Sequence, residues 1–433
     1  MKKNKTNQAL RWVRLDNAAK IYPAARRKNW SNLFRQSVTL NEDIDVSVLQ
    51  SALNVTVKRF PTIAARLRCG AFWYYLHQVQ KAPDIINDYS YPLTYMDNKE
   101  MRKCALRVLV HNDRIAVEFF HSLTDGTGAM HFLKSLTAEY LEQKYNISVP
   151  CEHGVLDRRQ EVPEEELEDC FPKNASKVIS SRKDTDAWHL SGTPQARGHL
   201  QLTCFQIPVN EARELAHKHN STLTVFFSAV MMQALINMQE EKIKAFHKRK
   251  RIKLLIPINL RQLFPSKTLR NFAMYTIPEI DPRLGEYTFQ EICDIIKNKM
   301  GTEFTAKHMS TVIATNVKDE ENLLLRIVPL PIKNIVMKAV FDTVGERKSC
   351  LALSNLGLVK LPDIMNDYVR RFDFVLGVQS KSPYNCGMVS YGDTVYINFI
   401  RNICEADLER HFFCVLRDMG IHVTVESNTN EVN

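Results

Sequence analysis

Two periodicities alternate along the chain. Leu33–Leu40 has the short apolar run of a strand, and Asp45–Phe60 places Val48, Leu49, Ala52, Leu53 and Val57 on one helical face that Pro61 ends. Ile63–Arg68 and the aromatic-rich Ala71–Val79 read as strands, and Ala105–Val110 and Arg114–His121 as a pair around Asn112-Asp113. A helix is predicted over Gly128–Lys144, with Ala129, Leu133, Leu136 and Tyr140 on one side. From Asn146 to Gly198 the periodicity fades around the acidic run Glu161–Asp169.

The alternation then resumes. Strands are predicted at His199–Pro208, Ile252–Asn259, Asn271–Pro278, Cys350–Leu353, Phe372–Gln379 and Gly387–Asn398, the last folded at a Gly392-Asp393 turn. Helices are predicted at Asn210–His219, Thr224–Gln239, Thr288–Lys307 and Glu405–Met419, and at Glu320–Phe341 with interruptions at Pro329 and Pro331. The pattern is that of an α/β protein with a sheet and flanking helices in each half. The halves are set at residues 1–165 and 199–433, joined by a crossover linker over 166–198. A single domain with a large surface loop is the alternative.

Composition narrows the class. The 433 residues are 45% hydrophobic and 24% charged, which excludes a mostly disordered or collagen-like chain. The net charge of +10 favours anionic partners without choosing among phosphates, acidic proteins and membrane surfaces. Ten cysteines without a C-x-x-C pair read as reduced thiols. The start is basic but lacks an apolar core, so a cytoplasmic protein is expected. His219–Gln239, the longest stretch free of Asp, Glu, Lys and Arg, carries enough polar residues to be a buried helix.

The chemistry concentrates at Phe119-Phe120-His121-Ser122-Leu123-Thr124-Asp125-Gly126. Ile115, Val117, Phe119 and His121 share one strand face, so His121 ends a strand on its apolar side. A shielded imidazole there has a pKa suited to a general base, and Gly126 permits a tight turn and leaves room for a ligand. On chemistry alone, a histidine at a strand end is more often a hydrogen-bonded structural residue.

The segment His121-Ser122-Leu123-Thr124-Asp125-Gly126 resembles the H-x-x-x-D-G signature of chloramphenicol acetyltransferase, nonribosomal condensation domains and plant BAHD acyltransferases. Leu15-Asp16-Asn17-Ala18-Ala19, Phe60-Pro61 and Arg66 resemble the amino-terminal region of alcohol acetyltransferase-like members. Pro257-Ile258-Asn259-Leu260-Arg261, Asn271-Phe272 and Ser354-Asn355-Leu356-Gly357 resemble later segments. The resemblance implies two chloramphenicol-acetyltransferase-like domains with an active-site tunnel between them. It implies acyl transfer, most simply acetyl, from coenzyme A to an alcohol or amine. It implies acyl-CoA as co-substrate and no permanently held cofactor. His121 is implied as the base, with no acyl-enzyme. Asp125 is implied to pair with an arginine, for which Arg261 is the candidate.

The tetrahedral oxyanion needs a donor, and Ser354 or Asn355 is a candidate, with Asn271 as a further oxyanion or substrate contact. The plainer account of Ser354–Gly357 is a strand-ending turn. Phe120 stands where condensation domains carry a second histidine, and Asp373-Phe374-Val375-Leu376-Gly377 matches only the ends of the D-F-G-W-G motif, so this segment reads as structural.

The basic run Lys242–Lys253, with Lys248, Arg249, Lys250 and Arg251 at its centre, is a candidate contact for a coenzyme A phosphate or an acyl carrier protein, or else a solvated helix end. It lacks the companions of a nucleic-acid site. Leu323–Phe341 is apolar with spaced cations, which raises membrane contact or a fatty-chain channel; a core helix pair is the plainer account. Cys404, His411 and Cys414 lack the spacing and fourth ligand of a zinc site, so no metal is expected. A monomer is expected. The alternatives to a CoA-dependent enzyme are a carrier-protein-dependent acyltransferase of lipid or natural-product biosynthesis, a silent binding protein of the same fold, and a membrane-associated lipid-handling protein.

Overall fold

The computed structural model describes residues 12–27, 32–179, 185–321, 327–342, 347–379 and 382–428. The first half contains strands β1 (Trp12–Arg14), β2 (Leu33–Leu40), β3 (Ala65–Cys69), β4 (Tyr74–Gln78), β5 (Ile86–Asn87), β6 (Leu106–His111) and β7 (Arg114–Phe120). Its helices are α1 (Ile21–Ala25), α2 (Val46–Arg59), α3 (Asn98–Met101) and α4 (Gly126–Tyr145). Asp45 and Asp125 cap α2 and α4, each carboxylate accepting two backbone N–H groups of the first turn. α2 and α4 meet through rings such as Phe60 and Phe132, whose centres are 5.2 Å apart.

The second half contains β8 (Gln201–Pro208), β9 (Ile252–Asn259), β10 (Ala273–Thr276), β11 (Glu279–Ile280), β12 (Leu351–Leu358), β13 (Val369–Leu376), β14 (Tyr384–Tyr391), β15 (Thr394–Arg401) and β16 (Thr424–Ser427). Its sheet runs β10-β9-β12-β14-β15-β8-β16, with β11 on the other end of β9. β12 is parallel to β9 and β14, and the remaining pairs are antiparallel. The helix Leu223–Lys242 buries nearly its whole length against this sheet, which accounts for its run without charges.

One strand crosses between the halves. β13 leaves the second half and pairs with β2, from Val369 opposite Leu40 to Leu376 opposite Phe34. The first sheet is therefore ordered β13-β2-β7-β6-β5. Gly387 of β14 lies against β13 so closely that a Cβ there would sit 2.2 Å from the Phe374 carbonyl oxygen. The segment read as a linker also binds the halves: Glu166 is bidentate to buried Arg59, and its carbonyl accepts from the Leu269 N–H at 2.9 Å.

Two readings of the pattern change. The apolar periodicity does not announce the helix Ala306–Glu321, because its apolar stripe is thin: Met309, Ile313 and Val317 bury against Phe171 and Phe272 among threonines and other polar residues. Of the two prolines only Pro329 falls in a break between helical residues; Pro331 sits in the first turn of the helix Leu330–Val340, where a proline loses no helical hydrogen bond. Residues 322–326 of the apolar stretch lie outside the described residues. Ile332, Ile335, Val336 and Val340 of this helix are exposed. Among the described residues no single helix is long and apolar enough to cross a membrane.

Candidate active site

β7 carries His121 out of its last rung. The His121 N–H donates to the Asn32 carbonyl at 2.9 Å, so the backbone keeps its strand direction one residue further. The imidazole stacks on Tyr22 of α1, with ring centres 4.3 Å apart and planes 16° apart, and meets the edge of Phe34 at 5.0 Å. These rings fix its plane.

Its hydrogen bonding fixes its tautomer. His121 Nδ1 lies 3.1 Å from Asn271 Oδ1. Asn271 Nδ2 donates to Asp16 Oδ2 at 3.2 Å. An ionised carboxylate only accepts, so the amide must present its NH₂ to Asp16 and its oxygen to the imidazole. Nδ1 is then the protonated nitrogen, and Nε2 keeps a lone pair with no partner among the described residues. Asp16 and Asn271 are both buried. Burial pushes the Asp16 carboxyl up to about 6, against the pull of the Arg270 guanidinium 3.6 Å away. Burial pushes the His121 imidazole below its ordinary range, opposed by the Asp125 charge and the Asn271 hydrogen bond.

Asp125 points away from His121. One oxygen caps α4, accepting from Thr127 N–H and Gly128 N–H at 3.1 and 3.0 Å. The other accepts from Arg261 Nη1 at 2.7 Å and from the Phe272 N–H at 2.8 Å. Burial alone would raise this carboxyl; Arg261 and the N–H donors outweigh it and hold it below the usual carboxylate range. All five Arg261 N–H donors are used, on Asp125, Asn259, Arg270 and twice on Thr268. One guanidinium thus ties the start of α4 to the segment that delivers Asn271.

The turn tolerates little bulk. A Cβ on Gly126 would lie 2.6 Å from Leu356 Cδ2, and one on Gly128 would lie 2.1 Å from Thr124 Oγ1 and 2.3 Å from the Leu269 carbonyl oxygen. Thr124 Oγ1 donates to that carbonyl at 2.6 Å. The sequence pattern does not single out Gly128, Tyr22 or the link through Asp16. The Gly126-Thr127-Gly128 spacing at a helix start is the available signal for the first.

His121, Asp125, Gly126, Arg261 and Asn271 therefore converge at the seam between the halves. Ser354 and Asn355 lie on β12, whose Leu356 covers Gly126. Asn355 is held by Thr224 Oγ1 at 2.9 Å and accepts from the Gly357 N–H at 2.7 Å, while Ser354 is half-buried one residue earlier.

Lys248–Arg251 precede β9, whereas Arg261 follows it, so roughly 30 Å of extended chain separates Arg251 from Arg261 at about 3.3 Å per residue. Arg249 pairs with Glu240 at 2.7 Å and Arg251 with Glu279 at 2.6 Å, whereas Lys248 and Lys250 are exposed. His411 Nε2 faces Glu241 at 2.9 Å. Among the described residues no group of three His, Cys, Asp or Glu is placed to hold a metal ion.

No family model and no curated protein matches the chain. Solved structures do match in fold. The trichothecene 15-O-acetyltransferase TRI3 of Fusarium sporotrichioides superposes with a TM-score of 0.61 at 11% identity, covering 96% of each chain. F. sporotrichioides TRI101, complexed with coenzyme A and T-2, gives 0.63 at 10% identity over 96% of this chain and 99% of its own. The first condensation domain of the CDA synthetase gives 0.59 at 12% identity, over 94% and 95%. The chain has the fold of these acetyltransferases and of the condensation domain.

Proposed function

We propose that this protein is an acyltransferase that moves an acyl group, most simply acetyl, from a coenzyme A thioester to a hydroxyl or amine of a small molecule. The observation that carries the reading is the imidazole of His121, plane-locked by Tyr22 and tautomer-locked by Asn271, with Nε2 unpartnered among the described residues. TRI101, a structure of the same fold, was crystallised with coenzyme A and T-2, which supports the donor and acceptor classes.

In this reading Nε2 accepts the proton of the attacking hydroxyl or amine as its oxygen or nitrogen bonds to the thioester carbonyl. The tetrahedral oxyanion collapses, the C–S bond breaks, and the proton passes to the departing thiolate. No group of the enzyme is acylated. General-base assistance of this kind is worth on the order of 10²–10⁴ in rate, and holding both substrates at the seam supplies further acceleration. Ser354 is the preferred oxyanion donor of the β12 pair, because the Asn355 amide is already engaged by Thr224 and Gly357. Asp125 and Arg261 act as supports.

The test is thiol release from a ladder of acyl-CoAs with pooled alcohols and amines, with His121→Ala alongside. Release that requires both an acceptor and His121 is expected, with the variant slowed about 10²–10⁴-fold and still folded. Wild-type turnover by His121→Ala would sink the mechanism. Release from an acyl carrier protein but from no acyl-CoA would move the donor assignment to the carrier protein.

A further inference from the structure

A second candidate site lies on the small three-stranded sheet β1-β4-β3. In its register Trp12 is opposite His77 and Arg14 opposite Tyr75. Arg66 is likewise opposite His77, and Arg68 opposite Tyr75. Residues directly opposite one another share a face, so one face carries the rows Trp12–His77–Arg66 and Arg14–Tyr75–Arg68. The other face, with Val13, Leu67 and Leu76, packs into the core.

This cationic face is not neutralised. No Asp or Glu occurs in the sequence between Asp45 and Asp84. Among the described residues no carboxylate pairs with Arg14, Arg66, Arg68 or the neighbouring Arg102 that follows α3. Arg66 is instead oriented by His77, whose Nδ1 lies 3.0 Å from Nε and 2.8 Å from Nη2. Burial and the flanking Arg66 and Arg68 charges keep His77 below the ordinary histidine range. A neutral imidazole aims a guanidinium without cancelling its charge, as a carboxylate would. Like charges gathered on one face repel and destabilise the fold, so the arrangement calls for an anion that no described residue supplies.

The face also carries rings and a recess. Trp12 is 64% exposed and stands edge-on to Tyr75, with centres 6.2 Å apart. A hollow of about 880 Å³ adjoins it, lined by Trp12, Arg68, Tyr75, His77 and Arg102 and also by the apolar Leu67, Tyr74 and Met101. That volume is in the range of small-ligand sites. A concave site with fork-shaped guanidinium donors and an open indole suits a compact ligand that joins several phosphate charges to a flat ring.

We infer that this hollow binds a nucleoside phosphate, with the base against Trp12 and Tyr75 and the phosphates on Arg68 and Arg102. The chemistry is shared by a free nucleotide and by the nucleotide end of coenzyme A. The inference stands apart from the acyl-transfer reading, because it rests on none of the seam residues.

The experiment is calorimetric titration of the full chain with ATP, adenosine 3′,5′-bisphosphate, coenzyme A and inorganic pyrophosphate, at two salt concentrations. Nucleotide binding that weakens about ten-fold or more in Arg68→Ala and Arg102→Ala is expected, as is a loss with salt. Trp12→Ala is expected to weaken nucleotides but not pyrophosphate. These side chains are at the surface, and melting curves check that each variant is folded. Mutual competition of coenzyme A and the bisphosphate identifies the coenzyme as the source; binding of ATP alone identifies a free nucleotide. Absence of nucleotide binding at millimolar concentration overturns the site. Affinities unchanged by the arginine variants overturn its location, and pyrophosphate binding as tight as nucleotide binding overturns the role of the rings.

Discussion

Replacing Asp16 by asparagine changes one atom of a buried side chain that reaches the His121 imidazole through Asn271. In the native protein Asp16 accepts from Asn271 Nδ2 at 3.2 Å and from the Ala19 N–H at 2.7 Å. The introduced amide can keep the Ala19 bond with its oxygen, and its NH₂ then faces the NH₂ of Asn271. Relief comes from rotating the Asn271 amide, which turns its NH₂ to His121 Nδ1. The imidazole must then accept at Nδ1 and carry its proton at Nε2, where a base needs a lone pair. Holding the native arrangement leaves a buried donor unsatisfied, at about 1–3 kcal/mol, a factor of roughly 5–150 in population at 298 K. The expected result is a fall in kcat of about 10–100-fold, with a smaller change in KM. The stability difference from wild type should depend on pH. The native carboxyl is raised from 3.8 to about 6, so its ionised form is disfavoured in the fold. That penalty is absent below pH 4, accrues from pH 4 to 6 and is complete above, at about 3 kcal/mol for about two pH units. Relative to wild type, Asp16→Asn should therefore gain melting temperature between pH 4 and pH 7–8, on top of a pH-independent cost from the unsatisfied donor and the lost Arg270 partner. Thiol-release kinetics and melting curves at both pH values measure these effects, and ¹⁵N shifts of His121 read the tautomer. Native kcat with the tautomer unchanged would refute the relay.

Other outcomes follow from the same geometry. The acid limb of kcat/KM should fall below pH 6.5, because burial lowers His121 and only its neutral form is a base; Asp16, at about 6, should steepen that limb, and Asp16→Asn should return it to one proton. Arg261→Ala should lose about 3–5 kcal/mol of stability along with activity, since it leaves buried Asp125 without its cation; denaturant melts and rates measured on the same samples check both. Gly128→Ala should fail to accumulate as folded protein or melt far below wild type, because its methyl would occupy the space of Thr124 Oγ1 and the Leu269 carbonyl oxygen.

Local sequence carries the elements whose signals are local. β2 and β9 match their apolar runs residue for residue, and the Asp45 cap and Pro61 bracket α2. The candidate active-site turn is legible because His121, Asp125 and Gly126 are close in sequence and form a compact motif. The Asn271 and Asp16 contacts are not legible, because they join residues 150 and 255 positions apart, and no periodicity encodes such a meeting. The helix Ala306–Glu321 hides for another reason: three apolar residues on a mostly polar background suffice once a partner surface exists, but do not announce it.

The pairing of β13 with β2 also bears on how the chain is made. When β2 leaves the ribosome its neighbour on one side, β7, is about 75 residues away, but its neighbour on the other side is roughly 330 residues away; at 5–20 residues per second that interval is about 15–65 s. Throughout it, the flank of an otherwise buried strand offers unpaired N–H and C=O groups to any passing strand. Chains that stop before Val369 keep that flank open permanently. Such fragments should collect in the pellet or on chaperones even when every residue of the H-x-x-x-D-G turn has been synthesised.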